Sequence, residues 1–81
     1  MIYKTKGTCS SEIEIELDEN HIIQHVAFKG GCSGNLQGIT QLVIGQKAED
    51  VIERVSGVKC GFKQTSCPDQ LAIALREAIA Q

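Results

Sequence analysis

The stretch SEIEIELDENHIIQHVAFK, Ser11 to Lys29, decides the fold. Its first seven residues alternate strictly, with Ile13, Ile15 and Leu17 on one side and Glu12, Glu14 and Glu16 on the other. Side chains of a strand point to opposite faces in turn, so this pattern predicts a strand with one dry and one wet face. Asp18 to Asn20 is turn material. His21 to Lys29, rich in β-branched and aromatic residues, then reads as the returning strand of a hairpin. The glutamates form a solvated face that discourages edge pairing, and no catalytic role is assigned to them. His21 and His25 read as strand or turn residues, with His25 on the face of Ile23 and Ala27.

Working outward, Ile2 to Thr5 adds a short strand to the sheet. After Lys29 the sequence KGGCSGN, Lys29 to Asn35, breaks the alternation with three glycines. Backbone N–H groups before a helix can cradle an anion. The spacing is neither a GxGxxG nor a P-loop, however, so the glycines are read as a sharp turn that brings Cys32 near a partner. Leu36, Ile39, Leu42 and Val43 follow at helical spacing, with Gly45 as a stop. Ala48, Val51, Ile52 and Val55 mark a second helix ending at Gly57. A loop over VKCGFKQ precedes a third helix, read as opening at Pro68, which tolerates the first helical position because it lacks an N–H. Its apolar stripe is Leu71, Ala72, Leu75, Ala78 and Ile79, set against polar Gln70, Arg76 and Glu77. Strands followed by helices predict an α+β fold. The expected form is a two- or three-stranded antiparallel sheet with three helices on one face, in a single domain over residues 1–81.

The bulk composition excludes several functions. Aromatic residues are 4% and the net charge is −2, which leaves little for stacking on bases or neutralising phosphates, so no nucleic-acid partner is expected. No apolar run approaches the ~20 residues that span a bilayer. The start, MIYKTKG, has no signal-peptide character, giving the expectation of a cytoplasmic protein without a membrane partner.

Chemistry resides in four cysteines: Cys9, Cys32, Cys60 and Cys67. None of the gaps is the CxxC of a zinc knuckle. Position carries more information than spacing. Cys9 precedes the first long strand, Cys32 lies between the second strand and the first helix, and Cys67 stands at the start of the last helix. A helix N-terminus stabilises a thiolate, the form that binds metals and attacks electrophiles. Thiolates brought together repel unless a metal or oxidation neutralises them. The residues alone therefore point to a metal site or to buried, inert thiols, with the metal preferred.

Two resemblances sharpen this reading. Thr65-Ser66-Cys67-Pro68-Asp69 spells the motif of the TSCPD domain family, and FKGGCSGNLQGI (Phe28 to Ile39) and GVKCGF (Gly57 to Phe62) extend the match over nearly the whole chain. That family comprises small stand-alone proteins and the C-terminal domain of adenosylcobalamin-dependent ribonucleotide reductases. The resemblance implies an accessory to deoxyribonucleotide synthesis that works with a reductase large subunit, which alone would supply adenosylcobalamin. A nucleotide pocket and a radical site do not fit in so short a chain. The order of elements and cysteines also resembles the U-type (IscU-like) iron–sulfur scaffold proteins. That similarity implies Cys9, Cys32 and Cys67 as ligands of zinc or an iron–sulfur cluster; Cys60 has no counterpart in the scaffolds and is read as a replacement fourth ligand. Ser10 and Ser11 replace the scaffolds' Gly and Asp, and Ser66 replaces their His. A cluster scaffold or carrier and a purely structural zinc module are the alternative functions.

Overall fold

The computed structural model describes residues 1–8, 10–31 and 33–81, with the backbone alone for Ser33. The elements run β1 (Ile2–Lys4), β2 (Ser10–Leu17), β3 (Ile23–Gly30), α1 (Ser33–Val43), α2 (Ala48–Val55) and α3 (Cys67–Ala80). The strands form one antiparallel sheet in the order β1-β2-β3, so the α+β expectation holds with three strands. Tyr3 stands opposite Ile13, Ile13 opposite Phe28, and Ile15 opposite Val26. The alternation does what its pattern requires. Ile13 and Ile15 are buried, while Glu14 and Glu16 face solvent.

All three helices cover the dry face. Ile13, Ile15, Ile23 and Val26 of the sheet form one cluster with Val43 of α1, Ala48 and Val51 of α2, and Leu71, Ala74 and Leu75 of α3. Burying each large aliphatic side chain contributes about 1.5–3 kcal/mol, which makes this cluster the main source of stability. No helix among the described residues is long and apolar enough to cross a membrane.

Several local expectations are corrected. His21 and Ile22 lie outside β3 because Asp18 Oδ1 accepts the N–H groups of Asn20 (2.8 Å) and Ile22 (2.9 Å), closing a side-chain turn that holds His21 at φ 64°. Segment 45–48 instead pairs there: Ile23 N–H donates to the Gln46 carbonyl (2.9 Å) and Ala48 N–H to that of His21 (2.8 Å). His25 does not share a face with Ile23. The register slips between Glu16 and Leu17, where Glu16 faces His25 and Leu17 faces Ile23, so the extra residue Gln24 turns His25 to the wet side. There its Nε2 lies 3.3 Å from Glu14 Oε1. Leu42 is 77% exposed although Val43 is buried, because α1 packs chiefly on β3 through Leu36, Ile39 and Val43 while α2 packs on α3. Two more, at the start of α3 and at Gln70, belong to the site described below.

Leu75 has no exposed surface, so Leu75→Ala is expected to lower the unfolding free energy by about 2–5 kcal/mol, against about 0.5–1.5 kcal/mol for Ile13→Val at an equally buried position. Urea unfolding of the two variants beside the wild type checks the order.

Candidate functional site

The start of α3 is built by its sequence. Ser66 is the N-cap, with extended φ −149° and ψ 171°, and its Oγ accepts the N–H of Asp69 at 3.1 Å. Its hydroxyl donates to the Val58 carbonyl at 2.6 Å. The helix consequently begins at Cys67, one residue ahead of the expected Pro68, because the serine before the cysteine is the better cap. Cys67 is half-buried in the first turn, and its Sγ lies 3.3 Å from the hydroxyl of Ser10. Ser10 is itself buried, at the first position of β2. The residue that follows Cys9 in the sequence thus touches Cys67, although 57 positions separate the two.

Around this contact lies a polar network. Gln70, expected on the polar face of α3, is 4% exposed. Its Oε1 accepts the Tyr3 hydroxyl (3.0 Å) and the Lys6 N–H (3.1 Å), and its amide donates to Thr65 Oγ1 (3.0 Å). The Thr65 hydroxyl donates in turn to Asp69 Oδ2, and Gly57 N–H donates to Asp69 Oδ1 at 2.6 Å. These bonds, that of Thr65 first and that of Gly57 second, hold the Asp69 carboxyl below the usual aspartate range. Burial pushes the Tyr3 phenol up, with smaller contributions from Glu77 and Asp69. The Asp69 carboxylate, which at a helix start could have opposed a thiolate, is directed to the loop before the helix. Gln70 and Thr65 were missed in the sequence reading. The available signal was that Gln70 falls four residues before buried Ala74, on the edge of the apolar stripe.

Cys60 is exposed on the loop between α2 and α3. That loop closes through Cys60 N–H to the Thr65 carbonyl (3.1 Å) and Lys63 N–H to the Cys60 carbonyl (3.0 Å). Gly30 and Gly31 take φ of 79° and 80°, the left-handed conformation expected of a sharp glycine turn. Cys9 and Cys32 lie outside the described residues, and the expected convergence on Cys67 falls on them. Among the described residues, no three His, Cys, Asp or Glu side chains come together as a metal site. His21 Nδ1 contacts Glu49 Oε2 at 2.6 Å, and His25 faces Glu14.

The model of the TSCPD domain matches residues 1–79. The chain belongs to the TSCPD domain family. Membership makes it a small ribonucleotide reductase-associated domain, in keeping with the resemblance carried by its own Thr65 to Asp69. No curated protein and no solved structure matches it.

Because the Asp69 carboxyl is held below its ordinary value, the stability it contributes is complete above the unfolded-state value and is lost as pH falls through the depressed one. Asp69→Asn is therefore expected to destabilise the domain by a constant amount above about pH 5, with the difference from wild type shrinking in more acidic solution. Chemical unfolding of both proteins across pH measures it.

Proposed function

We propose that this TSCPD domain is a thiolate metal-binding accessory to deoxyribonucleotide synthesis, acting beside a ribonucleotide reductase large subunit that carries the radical chemistry and any adenosylcobalamin. The observation that carries the reading is the contact between Cys67 and Ser10 at the N-terminus of α3. It sets a half-buried thiol, in a turn that favours thiolate, against Ser10, the residue that follows Cys9 in the sequence. The donor chemistry fits a soft cation. The acid two residues on, Asp69, is engaged by Thr65 and Gly57, which leaves sulfur as the ligand type at this end of the domain. Cys9, Cys32 and Cys67 are assigned as the ligands, with Cys60 as the fourth. A bound zinc ion would cross-link the segments that carry these residues, and an iron–sulfur cluster would add a redox centre.

Ser66 bears on which function the site serves. Scaffold proteins carry a His there, whereas here Ser66 caps the helix and donates to Val58. A residue occupied in this way supports a metal that is held rather than a cluster that is handed on.

Protein purified without oxygen is expected to contain zinc or iron by elemental analysis, and an iron–sulfur cluster would also show visible charge-transfer absorption. Serine at position 67 keeps a small hydroxyl in the first turn while removing the soft ligand. Cys67→Ser should retain the fold by circular dichroism and lose most of the metal, with a milder loss for Cys60→Ser. Metal-free wild-type protein in which all four thiols titrate freely would overturn the reading.

A further inference from the structure

The hydrogen-bond pattern leaves one edge of the sheet open. Ile15 donates its N–H to the Met1 carbonyl (2.9 Å) and its C=O accepts the Met1 amino group (3.1 Å), so both its main-chain groups face β1. Val26 stands opposite Ile15 in β3. Residues opposite one another in an antiparallel pair either exchange both bonds or neither. The N–H and C=O of Val26 are therefore directed to the outer edge of β3, and those of Phe28, two residues on, follow. Ile23 shows what this edge accepts. Its N–H donates to the Gln46 carbonyl (2.9 Å) and its C=O accepts the Gly45 N–H (2.8 Å), as from a short added strand. Beyond Ile23, no described residue continues the pairing. Val26 is only 2% exposed, so its outward groups are sheltered from water as well, and sheltered main-chain groups nearly always have a partner.

A cleft of about 660 Å³ opens along this edge, between Val26, Phe28 and Gly31 on one side and Gly34, Gln37 and Gly38 of α1 on the other. None of the described residues that line it is charged. The opposite edge of the sheet is different: β1 is three residues long and ends in Lys4, and short, charged edges resist pairing.

We infer that the cleft binds an extended segment of a partner protein, which adds to β3 as a fourth strand of the sheet. The chemistry that the edge lacks is that of a backbone: donors and acceptors at alternate residues, at strand spacing. A neutral lining offers nothing to a phosphate or another small anion. A second copy of this chain does not fit. Paired β3 to β3 about a twofold axis normal to the sheet, the two copies would carry their α1 helices on the same face. Neighbouring strands lie about 4.8 Å apart, and each α1 packs on its own β3, so the helices would be about 5 Å apart where packed helices need about 8–10 Å. A single strand avoids this clash. Its side chains would alternate, one set turned to α1, where Gly34 and Gly38 leave room for apolar groups, and the other to the wet face beside Ala27 and Lys29. An acidic residue in the second set would meet Lys29, and proline is excluded wherever an N–H must reach β3.

Hydrogen exchange followed by NMR is expected to alternate along β3 in the free protein, slow at Ala27 and Lys29 and faster at Val26 and Phe28. Random peptides of about ten residues, the upper length of a strand, are displayed on phage and selected against the full chain. The recovered peptide, once synthesised, is expected to bind with a Kd below ~1 mM and to slow exchange at Val26 and Phe28 on the order of 10-fold or more. Methylation of single peptide nitrogens should abolish binding only at every second residue, the signature of strand addition. Gly38→Leu narrows the cleft from the helix side and should weaken binding on the order of 10-fold. Open space at that position and the loss of a helix-interior glycine should keep its melting temperature at or above that of the wild type. Failure to recover any peptide that binds below ~1 mM overturns the inference. So do a peptide that binds without slowing Val26 and Phe28, one that tolerates methylation at every residue, and Val26 and Phe28 amides that are already as slow as Ala27 in the free protein or become so on raising the protein concentration alone.

Discussion

Gln70 occupies a dry position at the start of α3, and two of the three hydrogen bonds of its side chain reach Tyr3 and Lys6 at the other end of the chain, while the third ties it to Thr65 just before the helix. A buried amide without partners would cost about 1–3 kcal/mol per unsatisfied group. Its satisfaction therefore fixes the spacing of everything it touches: β1 through Tyr3, the segment just after it through Lys6, and the loop before α3 through Thr65. The apolar cluster supplies most of the energy of folding, but apolar contacts are non-directional. The amide adds direction. With Ser66 and Asp69 capping and clamping the same turn, it sets the end of α3 that carries Cys67 against the start of β2.

That placement separates the cysteines by environment. Cys67 is half-buried, sits in a helical first turn and touches a buried serine, whereas Cys60 is exposed on a loop tied to Thr65. Equal residues thus acquire unequal chemistry. The thiol at the helix start gains the field of the helix N-terminus, and the loop thiol gains access to solvent. Ser66, directly before Cys67, is a cap with two partners, which binds the local helix geometry to the loop on which Cys60 stands.

The polar surface is divided as well. The glutamates of β2 make one side of the sheet wet and charged, and His25 and Lys29 lie opposite Glu16 and Glu12 on the neighbouring strand. Segment 45–48 covers the first part of the outer edge of β3, joining the two layers through main-chain bonds. Beyond it, α1 leaves an uncharged flank. A small domain therefore presents a highly charged sheet face and a neutral helix face, and the two are suited to different surroundings.

What the sequence by itself determined was periodic. Alternation in residues 11–17 required a one-sided strand, the stripes of α2 and α3 required helices, and Thr65 to Asp69 marked the family, because each signal repeats or is spelled within a few neighbouring residues. Single positions behaved otherwise. Gln24 shifted the face of His25 through a slip in pairing, Leu42 was left in solvent because no described element packs over it, and Gln70 was drawn inside by partners more than sixty positions away. The contact of Ser10 with Cys67 is of the same kind. A local pattern states which face of an element is apolar. Which polar group is buried, and which cysteine meets which neighbour, depends on how elements far apart in the chain are brought together, and only the tertiary structure decides that.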